Sequence, residues 1–377
     1  MIEVYIHHLK KIHPKHRLSQ SDLIKWIIKC HQSSEEKNKT KSNLSLDQIE
    51  KFFNRFGVNE NQISHRMTDC DDILLTNFEE MDLYRITESN PFGADLQKRS
   101  EFFSKKSFEV FLDMYKNEIK KPDHIIHVSC TGYISPSAPQ KIVVSHDWNH
   151  ATAITHAYHM GCYASLPAVR MAQAYVHLEN NPSYQVDVVH NEMCSLHMNP
   201  SVHTPEQMVV QTLFADGHIK YSLTSTPQEK SLKILAVHEK VIPDSANDMS
   251  WIPAPFGMQM NLSREVPHKI KKVIEEFATE LFDKAHLSKA DGLKAIYAVH
   301  PGGPKIIESV QDTLKLNDNQ VKECKKILFE RGNMSSATLP HVWEDILNNN
   351  YPTGSKVISF AFGPGLTLFG SVFEVSG

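Results

Sequence analysis

The sequence predicts an α/β fold made of two related halves. Three observations predict it. Short β-branched segments alternate with runs of helical periodicity along most of the 377 residues, the pattern of strands covered by helices. Apolar strand-like segments recur at an offset near 170 residues: HIIHVSC, ending at Cys130, pairs with AIYAVH, ending at His300, and Val186–Val189 pairs with Val357–Phe360. The next landmark keeps the spacing too, since Cys162 follows Cys130 by 32 residues and Asn333 follows His300 by 33. Three matches at one offset suggest duplication. Each half should then be a mixed or mostly parallel sheet, with ligand sites at the carboxyl ends of its strands.

Taken in order, residues 1–35 read as a short strand and then a helix. Ser19-Gln-Ser-Asp22 resembles a capping box, and Leu23, Trp26 and Ile27 form an apolar stripe. The stretch 33–43 (SSEEKNKTKSN) is polar and patternless and reads as a loop insert. Residues 45–53 read as a second capped helix, with Leu46, Ile49, Phe52 and Phe53 on one face. A long helix is expected over about residues 94–117, with Phe103, Phe108, Phe111 and Leu112 in the core. Residues 123–130 have a strand's composition and run into the turn at Thr131-Gly132. After Cys162 a helix is expected, because Ala164, Ala168, Met171, Ala172 and Val176 fall on one face. The polar segment TSTPQEK (224–230) marks the join, giving halves of 1–223 and 224–377.

Composition bounds the class. A hydrophobic fraction of 41% and a charged fraction of 22% are ordinary for a globular protein. The net charge of -4 and the absence of a basic tail argue against a nucleic-acid binder. The opening MIEVYIHHLKK lacks the apolar centre of a signal peptide, and no run of about 18 apolar residues exists to span a membrane. The six cysteines form no CxxC pair, and the 22 histidines show no HExxH spacing, so no metal site is expected. Free thiols fit a reducing, cytoplasmic setting.

Three groups carry the chemistry: Cys162, His300 in His-Pro-Gly-Gly-Pro304, and Asn333 in Gly-Asn-Met-Ser-Ser-Ala337. A cysteine at a helix start lies among unpaired N–H groups, which favour thiolate over thiol relative to an ordinary pKa of about 8.5. Gly161 permits a sharp turn beside the sulfur. An isolated Gly-Cys is more often an inert packed thiol. A histidine can hold the thiolate and donate to an oxyanion, and an asparagine amide adds a neutral donor. Cys, His and Asn suit acyl capture followed by stabilisation of an enolate. Singly, His300 reads as a turn residue and Asn333 as a helix cap.

These residues resemble those of the type III polyketide synthases, the chalcone-synthase-like branch of the thiolase superfamily. MGCYASLPAVRMA resembles the family's nucleophile segment, VVQTLFADG (209–217) the segment with a gatekeeper phenylalanine, HPGGP (300–304) the histidine motif, GNMSSA (332–337) the asparagine motif and AFGPGLT (361–367) the glycine loop. The resemblance is dense from about Asp123 onward and thin before it. It implies a thiolase-like five-layered αβαβα fold. It implies Cys162, His300 and Asn333 as catalytic residues, and Phe214, Cys130, Thr131, Cys194, His197, Met260, Ser335, Gly363 and Pro364 as pocket residues. Arg66 and Lys305 are the expected phosphate contacts. The implied reaction is acyl transfer to Cys162, then decarboxylative condensation with malonyl-CoA. Iteration would give an alkylpyrone, resorcinol or phloroglucinol-like product. Coenzyme A thioesters are substrates and no bound cofactor is expected. A homodimer is expected from the family, and an acyl carrier protein is an alternative starter donor. His197 and Met260 depart from the plant pattern and put aromatic starters in doubt. Other readings stay open. A single-round β-ketoacyl synthase III-like enzyme tends to carry His-Gln-Ala-Asn where this chain has His-Pro-Gly-Gly. Thiolases use a second cysteine, which AFGPGLT lacks. A silent scaffold has no chemical reason to keep all three groups.

Overall fold

A computed structural model describes residues 2–38, 44–118 and 120–377. The strands are β1 (Tyr5–Ile12), β2 (His16–Ser19), β3 (His65–Thr68), β4 (His124–Ser129), β5 (Ala153–Tyr158), β6 (Val186–Met193), β7 (Asp216–Thr224), β8 (Ser231–Val241), β9 (Met249–Ala254), β10 (Gly257–Leu262), β11 (Ile296–Val299), β12 (Lys356–Gly363) and β13 (Thr367–Ser376). The helices are α1 (Gln20–Lys37), α2 (Leu46–Phe56), α3 (Leu96–Tyr115), α4 (Ala138–Ser145), α5 (Ser165–Glu179), α6 (Pro205–Leu213), α7 (Val266–Lys284), α8 (Lys289–Gly292), α9 (Pro304–Leu314), α10 (Lys322–Arg331) and α11 (Thr338–Asn348).

Nine strands share one hydrogen-bonded order, β11-β12-β13-β8-β1-β7-β6-β4-β5. The order mirrors itself about the β1–β8 pair. On one side β7 is antiparallel to β1 and to β6, and β6 is parallel to β4. On the other, β13 is antiparallel to β8 and to β12, and β12 is parallel to β11. Among the described residues β5 has no counterpart beyond β11. In its place the chain reaches Asn333, which makes a lone parallel bridge with Phe214. The two strand sets therefore touch at the site as well as along β1 and β8.

Helices α5 and α11 lie between the sets: α5 packs on β4, β6 and β7 and also on β13, while α11 packs on β11 and also on β1 and β7. Their sequences fit a two-sided environment, with Leu339, Pro340, Val342, Trp343 and Ile346 of α11 all buried. Helices α3 and α4 cover the far side of β4 and β6 through Val110, Phe111, Ile142 and Val143. α7 covers β8 and β13, with α9 beside it. Outer helices, strands, central helices, strands and outer helices make five layers. A separate apolar cluster, with Leu23, Ile27, Phe53, Ile73 and Leu83, stands beside Met193, Leu196 and Met208.

Local expectations meet the structure with three corrections. Ser19 caps α1 by accepting from the Asp22 N–H, and Ser45 with Gln48 forms a capping box on α2. The stretch 33–43 is not a loop from its start: residues 33–37 complete α1, whose Ser34 is buried, and 39–43 lie outside the described residues. Glu and Lys are good helix formers, so polar composition there did not mean loop. Leu112 is 37% exposed, because the buried stripe of α3 runs through Phe103, Ser107, Val110, Phe111 and Met114. Leu46 opens α2 and is 40% exposed rather than packed.

Candidate active site

Two strand ends and the turn after α10 converge on one cavity. β5 stops at Tyr158, and the chain then turns through Gly161, whose φ is +87°. A Cβ there would stand 2.4 Å from Pro364 Cδ, so only glycine fits. Cys162 follows, on the turn before α5, whose N-cap is Ala164. Its sulfur lies 3.9 Å from the Ser335 hydroxyl. Burial pushes the Cys162 thiol up to about 12, while the Ser335 hydroxyl pulls the other way.

His300 stands one residue past β11, and its backbone N–H donates to the Phe360 carbonyl of β12 at 2.7 Å. Neither ring nitrogen has a hydrogen-bond partner among the described residues. Burial pushes this imidazole down to about 3, so it is neutral near pH 7. Asn333 is pinned by its backbone: its N–H donates to Leu213 at 3.0 Å and its carbonyl accepts from Ala215 at 2.8 Å. Its Oδ1 accepts from the Ser335 N–H at 2.9 Å and from the Thr338 hydroxyl at 3.3 Å. Asn333 is not the N-cap of the helix that follows: Ala337 holds that place in α11, and the Asn333 oxygen bonds the turn before it. With the oxygen engaged in that turn, the amide nitrogen makes a long 3.5 Å contact to the Gly302 carbonyl and is a donor beside the Cys162 sulfur.

Cys162, His300, Asn333 and Phe214 line a cavity of about 400 Å³. Its solvent end carries exposed Arg55, Arg264 and Lys305. The two arginines flank the Phe56 ring at 5.1 and 5.6 Å. Past Cys162 lies a chamber of about 30 Å³ that touches Cys130, Thr131, Cys194, Met260, Ser335 and Pro364. His197 lies further on, with Nε2 2.8 Å from the Thr131 carbonyl and Nδ1 accepting the Met258 N–H at 3.0 Å. That pairing fixes the Nε2–H tautomer, and burial pushes the ring down to about 3. The expected pocket positions are spread over the main cavity, the small chamber and the space beyond it, and two positions lie elsewhere.

Gly363 ends β12 against the Tyr163 ring, where a Cβ would come within 2.1 Å, and is not on the cavity wall. Arg66 is not at the solvent end either. It is 3% exposed, and its guanidinium donates to Gln20 Oε1 and to the carbonyls of Gln211 and Phe214. Its β3 segment pairs inward with β2, which turns the side chain away from solvent. Arg55 and Arg264 were missed at the solvent end. Trp251 was also missed, and it donates to the Cys130 carbonyl.

Glu192 was missed as well. One carboxylate oxygen accepts from the Cys130 N–H at 3.0 Å and the Thr131 hydroxyl at 2.8 Å, and the other from the Ser336 hydroxyl at 2.5 Å. Burial holds its carboxyl above the ordinary value. It ties the two strand sets together beside the cavity. A charged residue inside the strand run DVVHNEM was the signal for it.

Comparison with known proteins identifies the family. Residues 8–227 match the family model for the N-terminal domain of chalcone and stilbene synthases, and residues 233–375 match that for the C-terminal domain. A probable polyketide synthase 1 of Dictyostelium discoideum is 30% identical over 254 residues, covering 66% of this chain and 8% of that protein. Type III polyketide synthase A of Arabidopsis thaliana is 28% identical over 259 residues, covering 66% of this chain and 64% of that one. The C-terminal type III polyketide synthase domain of Steely1, a type I/III hybrid from Dictyostelium, superposes with a TM-score of 0.79 at 22% identity over 99% of both chains. PKS-I of the brown alga Ectocarpus siliculosus superposes at 0.86 and 22% identity, over 99% of this chain and 98% of that one. These likenesses show the fold to be thiolase-like. Matched by both domain models across nearly its whole length, the chain belongs to the chalcone and stilbene synthase family, the type III polyketide synthases.

Proposed function

We propose that the chain is a decarboxylating condensing acyltransferase that uses coenzyme A thioesters. One observation carries the reading: a cysteine sulfur, an unpartnered imidazole and an amide donor face one cavity with a basic solvent end. Neutral His300 takes the Cys162 proton, and the resulting charge pair offsets the burial that opposes either ion alone. The thiolate attacks the starter thioester carbonyl. Coenzyme A leaves as thiolate and takes the proton back from His300. Malonyl-CoA then binds with its thioester oxygen between His300 and Asn333. Its carbon–carboxylate bond breaks, carbon dioxide departs, and the electron pair forms an enolate held by both N–H donors. Phe214 supplies an apolar wall near the carboxylate, where loss of charge is favoured. The enolate carbon attacks the Cys162 thioester, and Cys162 leaves as thiolate and takes up one proton from solvent, giving a β-ketoacyl-CoA and the starting thiol. Arg55, Arg264 and Lys305 hold the phosphates.

Repeating the cycle gives an alkylpyrone, resorcinol or phloroglucinol-like product. A single-round, ketosynthase III-like course is the second reading, favoured by the small chamber past Cys162. We place the enzyme in the cytoplasm as a homodimer, with coenzyme A or a carrier protein as starter donor. No helix among the described residues is long and apolar enough to cross a membrane. The test is malonyl-CoA with a panel of acyl-CoA starters, following carbon dioxide and products by mass spectrometry. Products extended by two or more units support iteration. One extension supports the second reading, and no condensation with any starter overturns both.

A further inference from the structure

We infer that a cavity walled by β3, α1 and α6 is a binding site for a small planar monoanion of the carboxylate or bicarbonate type. The cavity has a volume of about 70 Å³. Arg66 of β3 lines it, and among the described residues no aspartate, glutamate or lysine does. His197 lines it too, but burial pushes that imidazole down to about 3, so it is neutral near pH 7. The space therefore faces one fixed positive charge and no negative one. The inference does not depend on what Cys162 does.

Arg66 is buried and only partly met. Its Nε donates to Gln20 Oε1 at 2.7 Å, and its Nη1 to the carbonyls of Gln211 and Phe214 at 2.8 and 2.7 Å. Its Nη2 has no hydrogen-bond partner among the described residues. Every partner it has is neutral. Gln211 and Phe214 belong to the C-terminal end of α6, whose dipole supplies roughly half a negative charge. Asp216 lies close enough to favour the cation, yet its oxygens are taken by Ser195 and the Asp69 N–H. Burial lowers the guanidinium to about 9, so it is still a cation at pH 7. A water could accept from Nη2 but would leave the remaining charge in place, whereas an anion meets both needs.

Size and lining set the class of ligand. A water-sized group needs roughly 10–15 Å³ of such volume, so the cavity holds about five to seven non-hydrogen atoms. Acetate and bicarbonate fit, and a sugar phosphate does not. The two N–H groups of Nη2 face a carboxylate oxygen, and the Cys194 thiol adds a weak donor on the same lining. Leu23, Ile27 and Ile73 offer an apolar surface to a methyl group. Gln207 spends its amide N–H on the Met260 carbonyl at 2.8 Å, and its amide oxygen can accept the O–H that bicarbonate carries and acetate lacks. Arg66 also links the cavity to the active site. It holds the Phe214 carbonyl, and the next N–H, of Ala215, holds the Asn333 carbonyl at 2.8 Å. A bound anion therefore braces the segment that positions Asn333.

The test is the thermal unfolding midpoint of the full chain in acetate, in bicarbonate and in 2-(N-morpholino)ethanesulfonate, an anion too large for the cavity, at one pH and one ionic strength. Relative to the large anion, 100 mM acetate should raise the midpoint by about 3 °C if its dissociation constant is near about 1 mM. A larger rise in bicarbonate assigns the site to hydrated carbon dioxide, and a larger rise in acetate assigns it to a free carboxylic acid. Ile27→Trp fills the cavity from α1 and should abolish the rise. Met198→Phe fills it from another wall and should do the same, which keeps the test open if Ile27→Trp misfolds. Acetate labelled with carbon-13 at its carboxyl gives a reading that needs no variant: its resonance should broaden saturably with wild-type protein and sharpen when bicarbonate competes. Equal midpoints in all three anions, or no saturable broadening, mean that Nη2 is met by water only and overturn the site. A rise that survives a folded, filled-cavity variant places the anion elsewhere and also overturns it. None of these results bears on the condensing-enzyme reading, which is tested at Cys162.

Discussion

The strand pairs β6–β7 and β12–β13 hold equivalent places in the mirrored order, yet their interiors differ. The first pair is buried along its whole length and carries Asp187, His190, Glu192, Asp216, His218 and Lys220. Lys220 sits 3.4 Å from Asp187 and 3.0 Å from Glu118, and His218 sits 2.7 Å from Asp69. The second pair buries Ile358, Phe360, Phe362, Leu368, Phe369 and Phe373 instead. One topology thus tolerates either kind of interior. The apolar pair places His300 through a backbone bond and leaves both of its ring nitrogens without a partner among the described residues. The polar pair works only when every charge is met, and it gives the protein a fixed network, Glu192 included, at the join beside Cys162.

The largest effect that sharpens this contrast should come from Lys220→Met. It strands buried Asp187 without its cation and should cost about 3–5 kcal/mol in denaturant unfolding. Phe373→Leu, in the matching apolar strand, should cost under about 1.5 kcal/mol. Equal losses would break the comparison.

Acid should come next. Burial pushes His7 down to about 4 and His31, His127, His190 and His197 down to about 3, all in the part of the chain before β8. Their folded values lie below the unfolded value of about 6.5, so their contribution is complete above that pH and is lost as pH falls toward 3. Each histidine contributes up to about 1.4 kcal/mol per pH unit in that window. Asp216 acts oppositely: burial raises it to about 6, so its contribution is present below about pH 4 and lost as pH rises through 6. The histidines outnumber it, so the unfolding midpoint should fall between pH 7 and 5. A flat midpoint would contradict this.

Arg55→Ala should act only on binding, raising KM for coenzyme A thioesters about three- to tenfold with kcat little changed. Smallest of all, Glu239→Gln removes the partner that lies 2.6 Å from Arg170 at the surface. It should shift stability by less than about 0.5 kcal/mol.

What could be read from the sequence was local or periodic. The Cys162 turn, the strand ending before His300 and the capped helices are set by residues near one another. The common offset of three landmarks exposed the repeated architecture. What escaped was long-range. Glu192 finds Thr131 and Ser336 only when β4, β6 and the turn before α11 meet. Arg66 and Arg55 are both cations before the dense part of the resemblance, and which of them reaches solvent depends on tertiary packing: Arg66 sits in β3, paired with β2 and bonded to Gln20, Gln211 and Phe214, whereas Arg55 is in the last turn of α2. Gly363 and Gly161 looked alike as turn glycines, but one yields to the Tyr163 ring and the other to Pro364.

The central claim is a division of labour between a nucleophile after β5 and two donors held beyond β11. Carbon dioxide release from malonyl-CoA without any starter, followed in Cys162→Ala and Asn333→Ala, tests it directly. Cys162→Ala should release carbon dioxide near the wild-type rate although it takes no acyl group, whereas Asn333→Ala should still acylate Cys162 but release carbon dioxide at least about a hundredfold more slowly. Rapid release by Asn333→Ala, or acyl-enzyme formation in Cys162→Ala, would contradict it.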